Sequence, residues 1–133
     1  FTAAGWIKTG NTTSKKMILA QLSASGIGRP WLFLEGGFLK SNIGGSFTVS
    51  SNTLSINTWH HVVVVKNGTN IKLYINGVQR ASTTRTAESS VGTMKVGVSK
   101  NTTSWFNGTI DQLRIYNSAL SAADIAALFN SGQ

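Results

Sequence analysis

The chain has 133 residues, a length that suits one domain with its own hydrophobic core. It contains no cysteine, which excludes thiol catalysis, thiolate metal sites and a disulfide-bonded scaffold. Twelve Lys and Arg residues against four Asp and Glu residues give a formal net charge of +8, which favours polyanionic partners. No stretch of about 18 apolar residues occurs, so we expect no membrane-spanning helix. The chain starts with Phe1 and has no signal-peptide pattern, which we interpret as a processed product or an excised piece.

The order of apolar runs and turn formers is typical of an all-β protein. Fourteen glycines, one proline and many Ser, Thr and Asn residues separate short apolar runs that recur at intervals of roughly ten residues. This pattern predicts a sandwich or barrel in a single domain over residues 1–133. In chain order, the predicted strands are Thr2–Lys8, Met17–Ser23, Trp31–Glu35, Gly37–Lys40, Ser46–Ser50, His60–Lys66, Ile71–Ile75, Val78–Thr83, Thr93–Val98 and Gly108–Tyr116.

Two turns predict hairpins, and one segment predicts a helix. The turns are Asn67–Asn70 and Asn76-Gly77, where Asn-Gly accepts the positive φ of a tight turn. The run Val62–Val65 is apolar at every position, which indicates a central strand that is covered on both faces. Near the end, Ser121 and Asp124 form a capping-box pattern that predicts a short helix docked on the sandwich.

Three stretches of the chain resemble the laminin G-like, concanavalin A-like jelly-roll superfamily. The stretch Phe1–Lys8 begins with Phe-Thr and contains a Trp. The stretch Thr58–Gly77 contains Trp-His-His-Val near its start and ends with Tyr-Ile-Asn-Gly. The stretch Phe106–Ile125 contains Gly-Thr-Ile-Asp, followed by Ala-Leu-Ser. The resemblance implies an all-β, antiparallel jelly-roll β-sandwich with one short C-terminal helix.

The resemblance implies a binding task more than a catalytic one. We expect a non-catalytic carbohydrate-binding or adhesion module of a larger extracellular protein, located outside the cell or on a cell or virion surface. The alternative is a structural or assembly domain of a virion, fibre or surface protein that has no small ligand. A minority of the wider superfamily are glycoside hydrolases, and the fold alone does not choose between these functions.

The sequence departs from the family pattern at its front. Relatives usually carry a first strand before the one that contains the Trp, whereas this chain starts at the Trp strand. Without that strand an edge of a sheet stays open, which favours pairing with the parent polypeptide or with a neighbouring chain.

The acidic residues argue against an enzyme. Glycoside hydrolysis needs two carboxylates about 5 to 9.5 Å apart. The four acids are spread along the chain, and no two lie within four positions of each other: Glu35, Glu88, Asp111 and Asp124. We therefore expect no hydrolase activity.

Three polar residues in predicted strands allow a functional and a structural interpretation. His60 and His61 point to opposite faces of a strand, so they do not share a metal, and we favour one hydrogen-bonded His inside the sheet and one at its surface. Asp111 lies mid-strand, where a buried carboxylate needs a partner. The resemblance implies that a structural calcium held by this Asp and backbone carbonyls is one option, but the sequence offers few carboxylates, so we favour pairing with Arg114 or a backbone donor.

Two of the four tryptophans are candidates for stacking on sugar rings. Trp6 and Trp59 match core positions of the family, whereas Trp31 and Trp105 lie beside turns. We therefore predict ligand contacts at both tryptophans, each with polar or basic neighbours. The two groups are Arg29 with Trp31, and Lys100 and Asn101 with Trp105. For Trp31 the alternative is packing in the core.

The positive charge itself favours acidic or sulfated glycans over nucleic acid. The basic residues are scattered, with only Lys15 and Lys16 adjacent, and no nucleic-acid-binding motif with interleaved aromatic residues accompanies them.

Overall fold

A computed structural model describes residues 1–22, 28–45, 47–85, 94–98 and 104–133, without the side chains of residues 22, 28 and 29. The described residues form ten strands, one short 3-10 helix (Ile43–Gly45) and one α-helix. The strands are β1 (Thr2–Thr9), β2 (Lys16–Leu22), β3 (Gly28–Glu35), β4 (Phe38–Ser41), β5 (Thr48–Thr53), β6 (His60–Asn67), β7 (Asn70–Ile75), β8 (Val78–Thr84), β9 (Met94–Val96) and β10 (Gly108–Tyr116), and the helix is α1 (Ala122–Asn130). Each predicted strand overlaps an observed one.

The strands form two antiparallel sheets that pack face to face. Sheet 1 has the order β10-β1-β6-β7-β8, and sheet 2 has the order β5-β4-β3-β2-β9. The predicted antiparallel sandwich is therefore confirmed. None of the described helices has the length and apolar character needed to cross a membrane.

The core between the sheets is built from strands whose side chains alternate. Val62 and Val64 of β6 point into this core together with Leu32 and Leu34 of β3, and all four are fully buried. Strand β6 lies in the middle of sheet 1, as its continuous apolar run predicts. Full burial of one such side chain contributes about 1.5–3 kcal/mol.

The outer face of sheet 1 is covered by helix α1. The Ser121 hydroxyl accepts a hydrogen bond from the Asp124 amide (3.2 Å), and the Asp124 carboxylate accepts one from the Ser121 amide (3.3 Å). This capping box satisfies two amides that the first helical turn leaves unpaired. Ile125 is fully buried against Val63 and Tyr74. The predicted docked helix is therefore confirmed.

The turn between β7 and β8 is fixed by a side chain that reaches back to β6. Asn76 adopts a φ of 51° and Gly77 one of 80°, the conformation that Asn-Gly turns favour. The Asn76 carboxamide oxygen accepts a hydrogen bond from the His61 amide (2.9 Å), and its nitrogen donates one to His60 Nδ1 (3.2 Å). A β-carbon at position 77 would lie 3.2 Å from the Phe129 ring. Glycine is therefore required both for the turn and for the approach of α1.

One end of sheet 1 is open among the described strands. Strand β10 is the terminal strand there, and its Ile115 pairs with Ala3 of β1. Ala3 is fully buried, whereas Ile115 is 51% exposed. The apolar face of sheet 1 thus extends beyond the area that sheet 2 covers.

We expect Asn76→Ala to lower the free energy of unfolding by about 2–4 kcal/mol. The change removes two hydrogen bonds and places a β-carbon without a polar side chain in the left-handed region. Urea denaturation measures the effect. Asn67→Ala, at the exposed end of β6, is the control and should cost less than about 1 kcal/mol. Equal losses for the two variants would contradict the role of Asn76.

Candidate functional site

Trp31 lies in the core and not on a binding surface. Its side chain is only 8% exposed, and its ring stacks on that of Phe1 with centroids 4.1 Å apart. The packing interpretation is the one that agrees with this placement, because a covered indole has no free face for a sugar ring. The side chain of Arg29 lies outside the described part of the chain, although its backbone belongs to β3.

Trp105 is the exposed aromatic residue of the predicted pair. It is 59% exposed and lies on the wall of an open cleft of about 510 Å³. We call this the Trp105 cleft, and its lining residues are Ser14, Lys15, Lys16, Ser104, Trp105, Phe106 and Asn107. The predicted neighbours Lys100 and Asn101 lie outside the described residues, as does Glu88.

The two walls of the cleft are tied together at the end of β1. The hydroxyl of Thr9 hydrogen-bonds the carbonyl oxygens of both Asn107, which lines the cleft, and Asn11, which lies three residues before the lining residue Ser14. The Met17 amide also donates to the carbonyl oxygen of Ser104 (3.1 Å). A β-carbon at Gly108 would collide with the backbone of Lys8. The cleft is therefore held by the buried Thr9 hydroxyl and by main-chain contacts, and does not depend on its exposed side chains.

The lysines of the cleft follow a turn that the sequence encodes locally. The Asn11 carboxamide oxygen accepts hydrogen bonds from the amides of Thr13 (2.9 Å) and Ser14 (3.3 Å), as in an Asx turn. The turn delivers Lys15, whose Nζ lies 5.2 Å from the centroid of the Phe33 ring. The sequence shows that Lys15 and Lys16 are adjacent but does not place them beside Trp105. Nothing local in the sequence relates two segments ninety residues apart.

The cleft combines one aromatic face with positive charge. Among the described residues, its lining contains two lysines and no carboxylate, together with hydroxyl and carboxamide groups. Such a surface can stack the apolar face of a ring, pair with an anionic substituent and hydrogen-bond hydroxyl groups.

Both histidines are structural, and the expectation of a surface His was wrong. His60 is 9% exposed and His61 is 3% exposed. His60 Nδ1 accepts from Asn76, so in the neutral ring Nε2 carries the proton and donates it to the carbonyl oxygen of Ser55 (3.0 Å). His61 points to the opposite face and packs against the rings of Trp6 and Phe129, at centroid distances of 5.1 and 6.3 Å.

Burial determines the protonation of His61. Desolvation, with a smaller contribution from the nearby charge of Arg114, lowers the pKa of His61 from 6.5 to about 4. The ring is therefore neutral at pH 7 and covered by α1, so it does not offer an acid or a base to a ligand.

Asp111 is exposed, which corrects the expectation of a buried mid-strand carboxylate. In β10, Asp111 pairs with Trp6 and Arg114 pairs with Ala4, so β10 has one extra residue over this span. Gln112, with a φ of 49°, lies at this β-bulge. The Asp111 carboxylate accepts a hydrogen bond from the Gln112 amide (2.9 Å), which is the backbone pairing that the sequence left open.

The described residues do not fit a calcium site at Asp111. Calcium takes six to eight oxygen ligands and usually more than one carboxylate. Glu35 pairs with Lys40 (3.2 Å) and Asp124 caps α1, so neither acid joins Asp111. No group of three or more metal-ligating side chains occurs within the described ranges.

The comparisons with known proteins agree with this fold. The Laminin_G_3 family model, described as the concanavalin A-like lectin/glucanases superfamily, matches residues 1–126. The chain belongs to this superfamily. The family description covers both lectins and glucanases, so membership alone does not separate binding from hydrolysis. Among curated proteins, no sequence matches the chain.

Solved structures with similar folds share little sequence with this laminin G-like domain. One is a protein from Bacteroides ovatus proposed to bind carbohydrate, with 17% identity and a TM-score of 0.77 over 94% of this chain and 39% of that chain. Another is a pentraxin from Limulus polyphemus, with 16% identity and a TM-score of 0.74 over 96% and 68%. A third is domain 4 of the arabinanase AbnA from Geobacillus stearothermophilus in complex with arabinotriose, with 19% identity and a TM-score of 0.65 over 96% and 65%. The domain thus spans less than two thirds of the Bacteroides ovatus chain and of the arabinanase chain.

The buried imidazole should make the stability of the laminin G-like domain depend on pH. Because the folded-state pKa of His61 lies below 6.5, its stabilising contribution is complete above pH 6.5 and is lost as the pH falls through about 4. We expect the wild type to lose on the order of 3 kcal/mol more than His61→Gln over this range. Urea denaturation at a series of pH values measures the difference. Parallel curves for the two proteins would contradict the assignment.

We expect calcium to leave the thermal stability unchanged. Since one exposed carboxylate does not make a site, EDTA and millimolar calcium should shift the melting temperature by less than about 1 °C. Differential scanning fluorimetry measures this shift. A rise of several degrees in calcium that disappears in Asp111→Asn would overturn the conclusion.

Proposed function

We propose that the domain binds carbohydrate in the Trp105 cleft and that its ligands carry acidic or sulfated groups. The observation that carries this proposal is the exposed indole of Trp105 beside Lys15 and Lys16 in one cleft. An exposed indole offers a flat apolar face on which a sugar ring can stack, and polar groups beside it can fix the orientation of that ring. The two lysines favour a ligand that supplies the negative charge.

The wider similarities support a sugar ligand. The Bacteroides ovatus protein is proposed to bind carbohydrate, and the arabinanase domain was solved with arabinotriose. With 19% identity or less, these structures share the fold with this chain, and the cleft residues carry the rest of the argument.

We propose a binding module and not a hydrolase. Hydrolysis needs two carboxylates on either side of the scissile bond. The lining of the Trp105 cleft, within the described residues, supplies lysines in their place. A non-catalytic module that recruits a larger extracellular or surface protein to an anionic glycan is the function that this chemistry supports best.

A second candidate function is assembly through the open edge of sheet 1. Ile115 is 51% exposed although it pairs with a fully buried residue, so a further strand beside β10 would cover it. The added strand would belong to the parent polypeptide or to a neighbouring chain. Oligomers in solution, together with silence on every glycan, would favour this candidate.

We expect binding to acidic and sulfated glycans on an array, weaker at moderate than at low salt. Trp105→Ala should lower the affinity about tenfold or more, equivalent to ~1.4 kcal/mol, because the stacking surface is lost. Ile56→Ala, which also removes a half-exposed apolar side chain, is the control.

The charge contribution needs a separate pair of variants. Lys15→Gln/Lys16→Gln should weaken binding and flatten its salt dependence, whereas Lys66→Gln/Lys72→Gln, with the same change in net charge on sheet 1, should not. Isothermal titration at two salt concentrations measures both effects. Equal losses for the two pairs would show attraction by net charge alone and would count against the cleft.

A further inference from the structure

Phe47 is a second exposed aromatic residue, and it is fixed in position. It immediately precedes β5 and is 52% exposed. Its carbonyl oxygen accepts a hydrogen bond from Arg85 Nη2 (2.7 Å), and its ring lies against the buried ring of Phe33 at a centroid distance of 5.9 Å. The next residue, Thr48, hydrogen-bonds Thr83 through its hydroxyl (2.7 Å). One face of the ring is thus supported by the protein, while half of the side chain is open to solvent.

Positive charge surrounds this ring as it surrounds Trp105. Lys40 Nζ lies 5.9 Å from the centroid of the Phe47 ring and 3.2 Å from a carboxylate oxygen of Glu35. The guanidinium of Arg85 lies on the main chain of Phe47. We call Phe47, Lys40 and Arg85 the Phe47 platform.

The Phe47 platform is continuous with the Trp105 cleft through Lys15. This lysine lines the cleft, and its ammonium group lies 5.2 Å from the ring centroid of Phe33. Phe33 in turn supports Phe47. Among the described residues, this surface carries four cations and one carboxylate, a net charge of +3, and the residues are Lys15, Lys16, Lys40, Arg85 and Glu35.

We propose that the binding surface extends from the Trp105 cleft to the Phe47 platform, so that the ligand is an internal stretch of an anionic polysaccharide. Two separated aromatic faces suit two different sugar rings of one chain, and the cations between them suit acidic groups that repeat along it. A single terminal sugar would reach only one of the two faces. This inference rests on the proposed function, because it extends the same site.

The dependence of affinity on ligand length tests the inference. The probes are two size series of anionic oligosaccharides, from disaccharide to octasaccharide: one of galacturonic acid and one prepared from heparin. For the series that binds, the wild type should gain about tenfold or more in affinity from disaccharide to hexasaccharide, because the second contact is made within the same complex. Isothermal titration measures each affinity.

Phe47→Leu is the deciding variant. Leucine keeps apolar packing on Phe33 but has no flat ring, so the variant should fold, and its melting temperature checks this. We expect it to lose the gain in affinity from disaccharide to hexasaccharide. Ile56→Leu, at another half-exposed apolar position, should keep the gain.

The outcomes separate the two proposals. If Phe47→Leu keeps the whole gain with length while Trp105→Ala weakens every ligand, the Phe47 platform is refuted and the cleft stands. If the wild type binds neither series, the proposed specificity for anionic glycans fails, and the inference fails with it.

Discussion

The structure depends on a central strand that is apolar on both faces. Strand β6 directs Val62 and Val64 into the core between the sheets and Val63 and Val65 to the opposite side. A two-layer sandwich would leave that second pair of side chains in water, at a cost of about 1.5–3 kcal/mol each. Helix α1 supplies the third layer, with Ile125 at its centre. The capping box, the docking of the helix and the burial of His61 all follow from this need for cover.

The features that the sequence predicts well are those encoded by close neighbours along the chain. An Asn-Gly pair fixes a turn, Ser121 and Asp124 fix the start of a helix, and alternation fixes which side of a strand is buried. Even here the sequence does not show what the turn does in the fold. The side chain of Asn76 joins the turn to two consecutive histidines of β6, and this link forms only when the hairpin pairs in register.

The features that escape the sequence are set by distant contacts. Trp31 and Trp105 have similar neighbours along the sequence. In the fold, however, the ring of Phe1 covers Trp31, whereas Trp105 is exposed. Asp111 looks like a mid-strand core acid until the bulge at Gln112 turns it outward. Such a bulge has no residue signature here, because glutamine rarely adopts a positive φ. The ligand role of Trp105 remains a prediction, and its pairing with Lys15 required the folded chain.

The two faces of the domain have different tolerances for change. On the side of α1, the contacts are made by buried and half-buried side chains, so substitutions there lower the free energy of unfolding. On the other side, the cleft is held by hydrogen bonds of the buried Thr9 hydroxyl and of the Met17 amide to main-chain carbonyl oxygens, and Trp105 and the lysines that would contact a ligand are at least partly exposed. Substitutions among those groups cost little stability, so natural variation can alter recognition while the scaffold persists. The division makes the domain a suitable framework for directed evolution of new binding specificities.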